Sequence, residues 1–116
     1  MKKIVLVEDD VAIRDAFSIA LDQNHYELYA FESGDSILEK QVIIPDLFLL
    51  DKNIAGTSGL ELCRFIKSDE IYQHTPVVIL SASPDIKSQA QKAGADDIIR
   101  KPFSLKVLRE VIAKYT

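Results

Sequence analysis

Asp46-Leu47-Phe48-Leu49-Leu50-Asp51 decides how the rest of the chain is read. Four large apolar residues stand in a row between two carboxylates. A short unbroken apolar run marks a strand covered on both faces, as in a parallel sheet with helices on each side. Pro45 stands just ahead of it, ending what precedes and unable to donate to a ladder. In open α/β sheets, ligands sit in the crevice outside the carboxyl ends of the strands. Asp51 falls at that edge. Desolvating an unpaired carboxylate is costly, so a chemical role is one explanation. A strand terminator or a helix cap is the plain alternative, and this stretch alone does not choose between them.

The neighbouring segments repeat the pattern. Lys3–Val7 is a β-branched apolar run, hence a buried strand, and it ends in Glu8-Asp9-Asp10. Apolar residues recur at helical spacing over Val11–Gln23, with Asp10 as N-cap. Tyr26–Phe31 alternates as a strand, with Tyr26, Leu28 and Ala30 against Glu27 and Tyr29. Ser33-Gly34-Asp35 opens a short helix carrying Ile37 and Leu38. After Asp51 comes a loop, Lys52–Ser58, with Gly56, and then a helix over Gly59–Ser68 with Leu60, Cys63 and Ile66 inward. Pro76 precedes a strand over Val77–Leu80, and Ser81-Ala82-Ser83-Pro84 turns the chain. A weaker helix over Asp85–Ala93 ends at Gly94, and Asp96–Ile99 forms a short strand. Lys101-Pro102-Phe103-Ser104 leads into a last helix with Leu105, Leu108, Val111 and Ile112 on one face.

Strands and helices therefore alternate five times, which implies a parallel sheet with right-handed crossovers. The fold class is α/β, a doubly wound (βα)5 sheet in the flavodoxin-like order 2-1-3-4-5. That order gathers four strand ends: Glu8-Asp9, Asp51, Ser81 and Lys101. Carboxylates in one crevice repel each other, and a hard divalent cation relieves the repulsion. Oxygen-only ligands favour Mg²⁺. A metal, a lysine and a hydroxyl beside a carboxylate suit a phosphoryl group under in-line attack. Taken singly, Glu8 and Asp9 read as helix-dipole decoration, Lys101 as a surface lysine and Ser81 as a turn hydroxyl. Their joint arrival at one sheet edge is what carries the functional reading.

Composition narrows the field. At 116 residues the chain, residues 1–116, is expected to be one domain. The net charge of −4 and the lack of a basic stripe argue against direct nucleic-acid binding. No apolar run approaches the roughly 18 residues of a membrane span, so no membrane partner is expected. The acids at Glu8-Asp9-Asp10 interrupt the opening apolar segment too early for a signal peptide. A single cysteine, Cys63, forbids an intrachain disulfide and fits a cytoplasmic location, where it reads as a small core hydrophobe. His25 and His74 fall in turns away from the crevice, which argues against imidazole ligands. Phe103 reads as packing beside the proline turn.

Val7-Glu8-Asp9-Asp10, Leu49-Leu50-Asp51, Gly56, Ile79-Leu80-Ser81-Ala82, Gly94-Ala95-Asp96-Asp97 and Lys101-Pro102-Phe103 together resemble the receiver domain of bacterial two-component response regulators. The resemblance spans nearly the whole chain. It implies Asp51 as the phosphoacceptor, with a sensor histidine kinase or a histidine phosphotransfer protein as donor. It implies Glu8, Asp9, Asp51 and the backbone carbonyl of Asn53 as ligands of Mg²⁺, with Mn²⁺ as a substitute. Ser81 would be the switch hydroxyl and Lys101 the cationic partner of the phosphate, followed by a cis bond to Pro102. The product would be a phospho-switch rather than an enzyme, read out by the face of the fourth helix, fifth strand and last helix. The downstream protein is not specified, and a monomer or a phosphorylation-dependent dimer would both serve.

Three departures from the family pattern stand out. Ile54-Ala55 replaces Met-Pro, Ile98 replaces the usual switch aromatic, and Val107 and Val111 stand near positions that often carry dimer salt bridges. The competing readings are a docking module of the same fold that works without phosphorylation, an aspartyl-phosphate hydrolase and a flavin carrier. A hydrolase typically has a second acid where Asn53 stands, and Glu8-Asp9-Asp10 would repel a flavin phosphate.

Overall fold

The computed structural model describes Met1–Thr116 in full. Its elements are β1 (Lys2–Val7), α1 (Val11–Ala20), β2 (Tyr26–Phe31), α2 (Asp35–Leu38), β3 (Leu47–Asp51), α3 (Gly59–Ser68), β4 (Val77–Ser81), α4 (Ile86–Ala93), β5 (Asp97–Arg100) and α5 (Leu105–Tyr115). The five strands form one parallel sheet in the order β2-β1-β3-β4-β5. This is the expected doubly wound architecture.

The central strands are apolar throughout because both of their faces are covered. Val5, Val7, Phe48, Leu50, Val77 and Ile79 pack against α3 and α4 through Leu62, Cys63, Ile66, Ile86 and Ala90. Ile4, Leu6, Leu47, Leu49, Val78 and Leu80 point the other way, toward Phe17 of α1 and Leu108 and Ile112 of α5. Tyr72 closes the first layer. It is buried, meets Phe48 edge-on at 5.5 Å between ring centroids, and donates its hydroxyl to Val42 O at 2.6 Å.

Caps set several of the boundaries. Asp10 Oδ1 accepts from Ala12 N and Ile13 N at 2.8 and 3.3 Å, opening α1 as expected. Ser58 and Ser104 do the same for α3 and α5. Gly94, at φ 88°, ends α4 in the left-handed region that glycine enters freely.

Several expectations need correction. Helix α1 stops at Ala20, not Gln23, because Asp22 diverts the chain into a turn. Its carboxylate accepts from Asn24 N and its carbonyl from His25 N and Tyr26 N. Tyr29 is not an outward residue: with Phe31 it packs on the α3 side, while Tyr26 and Leu28 pack on the α1 side. The edge strand thus packs partly on both faces, with Ala30 left exposed. Leu62 joins the inward face of α3. Leu105 does not share the buried face of α5; as the first residue of that helix it is 38% exposed, while Leu108 and Ile112 are sealed.

Phe48→Ala is expected to cost about 3–5 kcal/mol of stability, the range for truncating a buried aromatic ring. Leu105→Ala is expected to cost no more than about 0.5 kcal/mol, as at other surface positions. Urea denaturation of both variants measures the contrast.

Candidate functional site

Strand register builds the site. Val7 pairs with Leu50, so Glu8 emerges level with Asp51. Asp51 pairs with Leu80, and Ser81 with Arg100, so Ser81 and Lys101 leave the same edge of the sheet. Side chains alternate along a strand. Glu8, Asp51 and Lys101 therefore continue the face of Leu6, Leu49 and Ile99, whereas Ser81 continues that of Ile79.

The three charged groups meet. Lys101 Nζ lies 2.9 Å from Glu8 Oε1 and 3.1 Å from Asp51 Oδ1. Glu8 is fully buried and Asp51 is 5% exposed. Asp9 lies at the solvent side, and carboxylate oxygens of Glu8, Asp9 and Asp51 all fall within 4.8 Å of one another. Burial pushes the Glu8 carboxyl up to about 7, with the neighbouring Asp51 adding to the rise and Lys101 opposing it. Burial pulls Lys101 down, yet Glu8 and Asp51 outweigh it and hold the ammonium above its ordinary value. One lysine thus faces three carboxylates, and Glu8 stays reluctant to ionise. A donor set made only of carboxylate oxygens and short of positive charge fits a hard divalent cation.

Asn53 is exposed in the loop after β3, and its carbonyl oxygen accepts no hydrogen bond from the chain. Ser81 is 1% exposed, and its Oγ accepts from Ser83 N at 2.9 Å. The Lys101-Pro102 bond is cis. Phe103 packs edge-on against Phe17 at 5.6 Å. Cys63 is buried in α3, and burial pushes its thiol up to about 11, so it stays neutral and inert. His25 pairs with Asp22 at 2.7 Å on the surface, and His74 is exposed.

Two supporting residues escape a reading of the sequence. Arg14 Nη1 donates to Glu8 O at 2.7 Å and so fixes the backbone that presents the first acid. Gly59 opens α3 against the end of β3, where a Cβ would collide with Asp51 O. A glycine at the first position of a helix, where it is a poor helix former, is the signal that would have found it.

Against known proteins, the model of the response regulator receiver domain matches residues 4–113. The chain belongs to that family. Among curated relatives, the phosphate regulon transcriptional regulatory protein PhoB of Pseudomonas aeruginosa is 40% identical over 118 residues, covering 97% of this chain and 49% of the relative. The chain therefore spans about half the length of the curated relatives it matches. The chemotaxis protein CheY4 of Vibrio cholerae superposes with a TM-score of 0.88 at 27% identity, over 100% of this chain and 99% of that one. The BeF3-activated receiver domain of DrrB, a Thermotoga maritima protein, gives 0.86 at 32% identity, over 99% and 97%. This receiver domain is a signalling module with the flavodoxin-like fold shared by these proteins. No helix in it is long and apolar enough to cross a membrane.

Gly59→Ala is expected to destabilise the receiver domain by about 1–3 kcal/mol, as overpacking does. It should also displace Asp51, read as changed amide shifts at Asp51 and Lys52. Unchanged shifts would mean that the contact with Asp51 O relaxes elsewhere.

Proposed function

We propose that residues 1–116 act as one phosphoacceptor domain in which Asp51 takes a phosphoryl group from a phosphohistidine. The donor is a sensor histidine kinase or a histidine phosphotransfer protein. The observation that carries this reading is the joint placement of Glu8, Asp9 and Asp51 with Lys101 bridging two of them. Glu8, Asp9, Asp51 and the Asn53 carbonyl would hold Mg²⁺. The bound ion supplies positive charge against the carboxylates and the phosphoryl oxygens.

In the transfer, an Asp51 carboxylate oxygen forms the bond to phosphorus as the N–P bond of the phosphohistidine breaks. The imidazole leaves with the bonding pair and takes up a proton. Lys101 moves its hydrogen bond from Asp51 Oδ1 to a phosphoryl oxygen while keeping Glu8. Ser81 turns its hydroxyl toward the same group. Lys101 starts α5's connection to the sheet and Ser81 starts α4's, so both adjustments reach the face of α4, β5 and α5. That face is the proposed output surface. Asn53, a non-acid two residues after Asp51, supports a lasting phospho-state over rapid turnover. The BeF3-activated form of DrrB, a relative of like fold, supports activation of this kind by a phosphoryl mimic.

Incubation with acetyl phosphate and Mg²⁺, followed by intact mass measurement, tests the reading. One hydroxylamine-sensitive phosphoryl adduct is expected in the native protein and none in Asp51→Asn. Lys101→Ala should still bind metal but lose the phosphorylation-linked shifts of α5 resonances. An adduct that survives Asp51→Asn would overturn the assignment, and sustained phosphate release from many phosphate esters would point to a hydrolase.

A further inference from the structure

The residue directly after the proposed phosphoacceptor makes a contact that the mechanism above does not use. Lys52 Nζ donates to Ser83 Oγ at 3.0 Å, spanning from the end of β3 to the β4–α4 loop. Ser83 N in turn donates to Ser81 Oγ at 2.9 Å. Ser81 makes no hydrogen bond to Asp51; its oxygen is held by the Ser83 amide instead. Pro84 follows Ser83, and its ring confines the Ser83 backbone to extended geometry. With that backbone stiffened, a bond to the Ser83 side chain also fixes where its N–H points. The Lys52 backbone is itself anchored, its N–H donating to Leu80 O and its carbonyl accepting from Gly59 N. The lysine thus reaches out from a rigid base.

We propose that Lys52 is a positioning residue that clamps Ser83 and, through the Ser83 amide, keeps the Ser81 hydroxyl turned away from Asp51. The clamp rests on the phosphoacceptor reading, because only there does Ser81 have somewhere to turn. Rotation of Ser81 toward a phosphoryl oxygen withdraws its oxygen from Ser83 N–H. The β4–α4 loop must then shift, and the Lys52–Ser83 bond opposes that shift. The clamp thereby lowers the fraction of molecules competent for the activated state, and it weakens apparent affinity for a phosphoryl mimic by that fraction.

Two measurements test this. In protein free of anion, Lys52→Met should speed hydrogen exchange at the Ser83 amide by about fivefold, the worth of one net hydrogen bond. The Gly59 amide should be unaffected, and Lys52→Arg, which retains a donor of similar reach, should restore protection. In the second measurement, beryllofluoride is titrated with Mg²⁺ present. Ser83→Ala leaves every charge in place, and its half-saturating concentration should fall about fivefold. Unchanged Ser83 exchange in Lys52→Met overturns the clamp, as does unchanged or weaker anion binding in Ser83→Ala. If exchange responds but the native protein binds no beryllofluoride, the phosphoacceptor reading fails, and the bond is reduced to a loop tether.

Discussion

The ammonium of Lys101 sits between Glu8 and Asp51, and much of the molecule exists to put it there. The three residues stand at the ends of three strands, two of them separated by most of the chain. Isolated carboxylates cannot remain charged so deep in a protein without compensation. Burial, with Asp51 adding to it, raises the Glu8 carboxyl to about 7, and one lysine offsets only part of that rise. The sheet, with its central strands sealed on both faces, supplies the rigidity that holds like charges at close range. Arg14 beneath Glu8 and Gly59 beneath Asp51 fix the two backbones that carry the acids.

That arrangement leaves the pocket poised. Its negative charge exceeds its positive charge, burial raises the carboxyl of its most buried acid, and its hydroxyl is tied to a neighbouring amide. Each feature is one that an arriving cation and phosphoryl group would change. Lys101 and Ser81 each stand at the start of a segment leading to a helix, so in the proposed reading a local change in charge would reach α4 and α5 through those segments. The family's usual aromatic is absent at Ile98, which packs partly buried against the α3 side of the sheet. A readout here would depend on loop and backbone movement more than on one large side chain.

The architecture was legible because the apolar runs are short, uninterrupted and punctuated by Pro45 and Pro76. The site was legible because strand order alone brings Glu8, Asp51, Ser81 and Lys101 to one edge. What the sequence hid lies in tertiary detail. Asp22 ends α1 early by offering its carboxylate and carbonyl to the next turn, a competition invisible to helical periodicity. Tyr29 alternates with apolar neighbours and so read as facing away from them, yet both faces of the edge strand meet helices in part, and Tyr29 is half-buried on the α3 side. Leu105 fits the apolar stripe of α5 but stands at its exposed first position. Lys52 reads as an ordinary loop lysine until the fold brings Ser83 within 3.0 Å of it.

A crystal structure with Mg²⁺ and beryllofluoride tests the central claim most directly. The account predicts metal density among Glu8, Asp9 and Asp51, beryllofluoride on an Asp51 oxygen, and Lys101 moved onto a fluoride. An empty pocket, with Lys101 still bridging Glu8 and Asp51 in the presence of both ligands, would contradict it.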